Sequence, residues 1–285
     1  MTDSTLFPFT ALGLDRLAQR FWPTLDDSEP RGVVILVHGL GEHVARYERV
    51  AERLNQWGFA VRGYDQFGHG QSDGARGALP SQERLIEDLA DVVDDARMGM
   101  PDHMPLILLG HSLGGLVAAR FVARAVRPVD ALVLSSPALD PGLRPVRRAL
   151  LRLMYRLAPD LRLRNGLSPR HLSHDAAVVQ AYRADSLVHD RISMRLAHFI
   201  TEAAPDAVAQ APRWSVPTLL LYAGADRLVD PAGSRAFAAA APPQVVTAHC
   251  FESLYHEIFN EAQPEPVFAV LQEWLQSRFA VPPQG

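Results

Sequence analysis

"LILLGHSLGGLVAARF", residues 106–121, runs from an unbroken apolar segment through three glycines and one serine into a stretch of helical character. A strand that turns into a helix within one residue forces the corner residue into strained backbone geometry. Glycine at positions 110 and 114 removes the side chains that would collide there. The hydroxyl of Ser112 is left projecting at the tip, the backbone N–H of Leu113 points at whatever that oxygen attacks, and the helix N-terminus adds partial positive charge. The competing reading is a plain strand-to-helix turn with a helix-capping serine. The apolar strand before the motif and the helix after it favour a nucleophile.

Working outward, short aliphatic runs recur with helix-like segments between them. Candidate strands are 33–37 ("VVILV"), 59–64, 106–109, 131–136, 218–223 ("TLLLYA") and 244–251, and helices fit near 44–57, 81–98, 113–126, 232–240 and 264–279. This is the α/β pattern of a mostly parallel sheet covered on both faces. From Leu6 to Trp22 the chain reads as an antiparallel hairpin leading into the sheet. The alternation stops between Asp140 and Pro212, where the chain becomes Arg-rich and helical. The expected division is therefore a core of residues 1–139 and 213–285 with a helical cap, 140–212, inserted before the strand at about 217–223 and lying over the loop end of the sheet.

A serine hydroxyl needs a base, and the base needs an orienting acid. "TLLLYAGAD" ends an apolar strand near Asp226, and "HCFESLYHEIFNE" places His256 in the loop after the last strand, giving the order Ser112, Asp226, His256. In that arrangement His256 takes the Ser112 proton and Asp226 fixes its tautomer. Asp230 competes for the acid role but reads better as a loop or cap residue. His249 falls inside the last strand and reads as a packed, satisfied histidine. "VVILVHGLGEHVARY" supplies a strand end followed by a turn, so the oxyanion donors are assigned to the backbone N–H groups of Leu40 and Leu113. A zinc site is disfavoured because "HEIFN" lacks the second histidine of His-Glu-x-x-His.

Composition narrows the classes. With 285 residues, 48% of them hydrophobic, the chain can bury a sizeable core, and a net charge of -4 gives no footprint for nucleic acid. All 28 basic residues are arginine, which excludes a lysine Schiff base or a P-loop lysine. One cysteine, Cys250, and a start without basic and apolar leader regions point to a reduced, cytoplasmic setting. No apolar run approaches the ~20 residues that span a bilayer, so membrane contact, at the inner membrane surface, would be peripheral.

The stretches "HGLGEH" (38–43), "DQFGHGQSDG" (65–74), "GHSLGG" (110–115), "LSHD" with "AYRADSLVH", "GADRLVD" (224–230) and "YHEIFNE" (255–261) together resemble the monoacylglycerol lipase group of the α/β-hydrolases. The resemblance implies an eight-stranded core, a helical cap, no cofactor or metal, and cleavage of the ester between one acyl chain and glycerol. It places Glu42, Arg46 and His111 as polar support around the oxyanion loop and the glycerol end of the pocket; read from the residues alone, Glu42 beside His43 fits a solvated loop pair equally well, His111 reads as a structural brace, and Asp65 and His69 as holders of the "GHG" turn. Lysophospholipase or broad carboxylesterase activity, or a non-catalytic binding protein on the same fold, are the alternatives. One departure is Phe259, where mammalian members carry a second histidine. In "LRPVRRALLRLMYRLAP" the apolar residues Val146, Leu150, Leu153, Met154 and Leu157 recur at helical spacing among arginines. Such a helix either packs its stripe on the core or rests on an anionic lipid surface.

Overall fold

The computed structural model describes residues 5–10, 15–24 and 29–279. Its strands are β1 (Thr5–Thr10), β2 (Arg16–Trp22), β3 (Val33–Val37), β4 (Ala60–Tyr64), β5 (Leu106–His111), β6 (Ala131–Ser135), β7 (Arg162–Arg164), β8 (Arg191–Ser193), β9 (Thr218–Ala223) and β10 (Val246–Phe251). The helices are α1 (Glu48–Gln56), α2 (Arg84–Met98), α3 (Leu113–Ala123), α4 (Pro145–Leu157), α5 (Ala176–Ala184), α6 (Met194–Gln210), α7 (Pro231–Ala240) and α8 (Glu265–Arg278). Eight strands form one sheet in the order β1-β2-β4-β3-β5-β6-β9-β10, while β7 and β8 form a separate ribbon. Only β2 runs against the rest of the sheet. The hairpin read from residues 6–22 is the β1–β2 pair; its connecting residues 11–14 lie outside the described residues.

The alternation of side chains along each strand divides the core in two. Ile35, Val37, Leu106, Leu108, Leu132, Leu134 and Leu220 face a layer that includes α2 and α3. Val34, Leu36, Ile107, Leu109, Val133, Leu219 and Leu221 face α1 and α8. Strands buried on both faces have no polar side to display, which is why they read as unbroken aliphatic runs. In the central strand β5 every residue is buried. A truncation such as Leu108→Ala there would cost about 2–5 kcal/mol in lost burial and residual cavity.

The stretch 140–212 is not uniform. Along α6, Leu196, Phe199, Ala203, Ala204 and Ala207 join the same core cluster as α2 and α3. No residue of α4 is buried, and Val146 and Leu157 are 80% and 75% exposed. The option in which the α4 stripe packs on the core is therefore not the one adopted; only its inner side, through Leu150, Leu151 and Met154, closes over a cavity. The β7–β8 ribbon was not expected from the sequence, because three-residue strands punctuated by arginine give no pattern long enough to read.

Candidate active site

Strand β5 runs on to His111 and α3 begins at Leu113, so Ser112 alone makes the corner, at φ +53° and ψ −117°. This left-handed backbone is strained for a non-glycine residue and persists because its surroundings enforce it. The Ser112 N–H donates to the Ser135 carbonyl at 3.0 Å, and the Ser112 carbonyl accepts from Leu116 and Ala138, each at 3.0 Å. A methyl group at Gly110 would stand 2.5 Å from the Gly114 carbonyl oxygen, and one at Gly114 would strike the Val37 carbonyl. Both positions thus need glycine for close approach rather than for a special dihedral.

His256 lies in the loop after β10 and is buried, and its Nδ1 bonds to Asp226 Oδ2 at 2.6 Å. The other Asp226 oxygen accepts the backbone N–H groups of Leu228 (2.8 Å) and Val229 (3.0 Å). Burial disfavours charge on both members, yet the pair overrides it: the Asp226 carboxyl sits below its ordinary range and the His256 imidazole above its own. With Nδ1 directed at the carboxylate, Nε2 is the nitrogen available to a substrate or a serine.

The rivals are placed elsewhere. Asp230 caps α7 by accepting the Ala232 N–H at 2.9 Å, as a loop or cap residue should. His249 is in the last strand as read, but it is exposed rather than packed, because β10 is an edge strand and its outer residues face solvent.

Around the β3 end, the polar residues form a brace. Glu42 Oε1 accepts the Gly39 N–H and the Tyr47 hydroxyl, each at 2.6 Å, while Oε2 meets the Arg46 guanidinium. Arg46 also grips Glu257 with both arms, at 2.7 and 2.8 Å, and lies over the Tyr182 ring at 4.7 Å. Burial alone would raise the Glu42 carboxyl; Arg46 and the nearby histidines bring it down to about 2. His111 packs its ring 4.7 Å from that of His256 and reaches the Ser135 hydroxyl at 3.1 Å. Burial and the neighbouring His256 hold it down at about 4, so it stays neutral.

His38 is locked on both nitrogens, with Nε2 accepting the Gln66 N–H at 2.9 Å and Nδ1 near the Gly39 carbonyl at 2.8 Å. Asp65 accepts the N–H groups of Val44 and Gln71, each at 2.8 Å, and His69 Nδ1 approaches the Phe67 carbonyl at 3.0 Å, so His69 acts within the turn and Asp65 ties the turn to the segment after β3. Phe259 is buried against Phe268, an apolar packing residue where the resemblance would have placed a histidine. Glu257, Tyr47 and Tyr182 were not singled out from the sequence. The only signal for Glu257 was its place beside His256 in "YHEIFNE".

Two chambers meet at Ser112. One, of about 470 Å³, is the more polar of the two: Arg76, Tyr182, Arg183, Asp185, His189 and Asp190 contribute to its wall beside apolar residues such as Leu172 and Val188, with His256 and His111 at its floor. The other, of about 440 Å³, is lined by Leu143, Leu151, Met154, Ile192, Ala197 and Ile200. Leu40, Ser112, Asn165, Leu167, Leu228 and Val229 border both, so the serine stands where a molecule with one apolar and one polar end would change character. The region 185–190 is tied to the loop at β3: His43 Nε2 meets Asp185 at 2.8 Å, and the His189 N–H donates to the Gly41 carbonyl at 2.9 Å. Gly41, at φ +78°, has no room for a side chain there, because the His189 carbonyl fills the space.

The chain is similar to several known proteins. A family profile described as "Serine aminopeptidase, S33" matches residues 28–263. A monoacylglycerol lipase of Mycolicibacterium smegmatis is 34% identical over 94% of this chain and 96% of its own length. Phospholipase YtpA of Bacillus subtilis is 32% identical over 84% of this chain and 93% of its own length. The crystal structure of the Paleococcus ferrophilus monoacylglycerol lipase superposes with a TM-score of 0.83 at 36% identity, covering 92% of this chain and 99% of that one. The chain spans 27% of the length of one longer Dictyostelium discoideum relative.

Proposed function

The chain belongs to the serine aminopeptidase S33 family of α/β-hydrolases and is a serine hydrolase. From that premise we propose that it cleaves monoacylglycerols, or similar single-chain lipid esters, through an acyl-enzyme on Ser112. The observation that supports this reading is the junction at the serine. An acyl chain fits the apolar chamber and a glycerol the polar one, which puts the ester bond between them at the nucleophile.

In this mechanism Ser112 Oγ attacks the ester carbonyl as His256 Nε2 takes its proton. The developing oxyanion is held by the N–H groups of Leu40 and Leu113; the latter is the first of α3 and has no partner within the helix. His256 then returns the proton to the departing glycerol oxygen. In the second half His256 draws a proton from water, which attacks the acyl carbon and restores Ser112. Asp226 holds the ring's orientation throughout and stabilises the imidazolium. Glu42 keeps the oxyanion loop in shape by accepting the Gly39 N–H, Arg46 holds Glu42, and His111 fills the space behind the base. The core at 1–139 and 213–285 thus carries the reacting groups, and the cap at 140–212 supplies most of the chamber walls.

The exposed stripe of α4 extends the same reading. Val146, Leu150, Leu153 and Leu157 are all more than half exposed, with Arg148 and Arg152 paired to Asp140 and Glu202 beside them. A lipid aggregate touching this helix would place an acyl chain at the mouth of the apolar chamber. Among the described residues no helix is long and apolar enough to cross a membrane, so the contact is peripheral.

The test is a substrate panel for the protein and its Ser112→Ala variant: monoacylglycerols of several lengths, diacylglycerol, lysophospholipid and short aryl esters. Fastest turnover of monoacylglycerol, abolished in the variant, supports the proposal. A preference for lysophospholipid would remove the glycerol ester as substrate, and equal rates for both proteins would remove the mechanism.

A further inference from the structure

Glu257 is buried directly beside His256 at the edge of the more polar chamber, and its carboxylate bonds to groups outside the Asp226–His256 pair. It meets Arg46 through both oxygens, at 2.7 and 2.8 Å, and accepts the Asn260 side-chain amide at 2.9 Å. Arg46 spans from this loop to Glu42, which in turn fixes the Gly39 N–H at the start of the oxyanion loop. One guanidinium therefore joins the loop carrying the base to the loop carrying an oxyanion donor, across 211 positions of sequence. The Glu257 N–H adds a third tie, donating to Leu172 in the cap at 2.8 Å.

We propose that Glu257 is a positioning residue for the hydrolytic reaction, holding the His256 loop in register with the oxyanion loop through Arg46 and leaving the buried cluster with a surplus negative charge beside the imidazole. The surplus follows from counting charge: two carboxylates, Glu42 and Glu257, share one guanidinium. The side chains of all three are nearly out of solvent, at 5% exposure for each carboxylate and 11% for the arginine, so water screens the surplus little. The groups that face His256 are Asp226 from the loop after β9, Glu257 from its own loop, Glu42 from the loop after β3 and His111 at the end of β5. Burial disfavours the imidazolium, Asp226 is the largest of the groups that favour it, and Glu257 and Glu42 each favour it further. The cluster thereby does two separable things: it sets geometry, and it tunes the pH at which the base becomes neutral.

This inference rests on the reading of His256 as the base for Ser112, and its test keeps the two apart. Wild type, Glu257→Gln, Glu257→Asp and Arg46→Gln are assayed with one monoacylglycerol over a range of pH, with Ser112→Ala as control and circular dichroism to normalise for folded protein. Because His256 acts only when neutral, kcat/KM rises with pH through its titration. Glu257→Gln removes the surplus charge and moves that acid limb to lower pH; Arg46→Gln enlarges the surplus and moves it to higher pH. In Glu257→Gln kcat falls by about ten- to a hundredfold from lost alignment, with KM little changed. Glu257→Asp keeps the charge and therefore the wild-type limb, and it recovers part of kcat; its limb remains readable if the glutamine variant does not fold. Acid limbs that coincide in all folded variants, or a kcat unaffected by Glu257→Gln, would overturn the proposal while leaving the Ser112 mechanism standing. Activity that persists in Ser112→Ala would remove the premise and the inference together.

Discussion

The two chambers beside Ser112 are nearly equal in volume, about 470 and 440 Å³, but they are built from different parts of the chain and by different physics. The apolar chamber is closed chiefly by α4 and α6, with side chains whose partner is the cavity itself. The polar chamber takes its floor from the core loops after β3, β5 and β10, and most of its wall from the segment 165–191, which includes α5. Ordering an apolar chain depends on area removed from water, which is tolerant of shape. Ordering a glycerol depends on hydrogen bonds that cost free energy when left unmade. The apolar side should therefore grade substrates by length, and the polar side should accept or reject head groups sharply.

The largest effect is expected where the chambers meet. Ser112→Ala should lower kcat by a factor on the order of 10⁴–10⁶, read with any ester substrate. A change limited to one chamber should break the symmetry. Ala197→Phe would fill part of the apolar chamber and reduce kcat/KM for long-chain monoacylglycerols by about 10–200-fold, leaving short-chain esters nearly as before. Equal losses at all chain lengths would show that the acyl chain lies elsewhere. On the polar side, His189→Leu, at a residue that lines this chamber alone, should cost about 1–3 kcal/mol in kcat/KM for monoacylglycerol and much less for a short aryl ester, which has no glycerol hydroxyls to satisfy. The smallest effect belongs to the outer face of α4. Leu153→Glu should leave the rate on dispersed short esters unchanged and weaken salt-sensitive association with anionic vesicles; unaltered vesicle binding would contradict the docking role.

Acidity offers a further comparison, between the base and its brace. The raised imidazole of His256 places the acid limb of kcat/KM above the ordinary histidine range. Glu42, brought from 4.5 down to about 2, contributes stability that is fully present above its ordinary value and is lost as pH falls toward about 2. The Tm of wild type should therefore fall as pH drops between those limits, and the Tm of Glu42→Gln should depend on pH less steeply there.

Much of this architecture was legible in the sequence, and the exceptions share a cause. The buried parallel strands announce themselves because both faces are apolar, and the corner at residue 112 does so because two glycines must flank it. The pairing of His256 with Asp226 follows from chain order on such a sheet. His249 misleads because its strand lies at the sheet edge, where an inward and an outward position look alike in a single segment. The exposed α4 stripe has the same periodicity as a packed helix, and only the absence of a partner distinguishes them. Glu257 and Tyr182 meet the brace through Arg46, a contact made across long sequence separations that no local pattern encodes.

The central claim is that Ser112 stands between an acyl site and an alcohol site. A crystal structure of the protein after reaction with a long-chain alkyl phosphonate tests it most directly. The account predicts phosphorus bonded to Ser112 Oγ, one oxygen facing the Leu40 and Leu113 N–H groups, and the alkyl tail between α4 and α6 against Met154 and Ile200. Phosphorus on another residue, or a tail lying among Arg76, Tyr182 and His189, would contradict it.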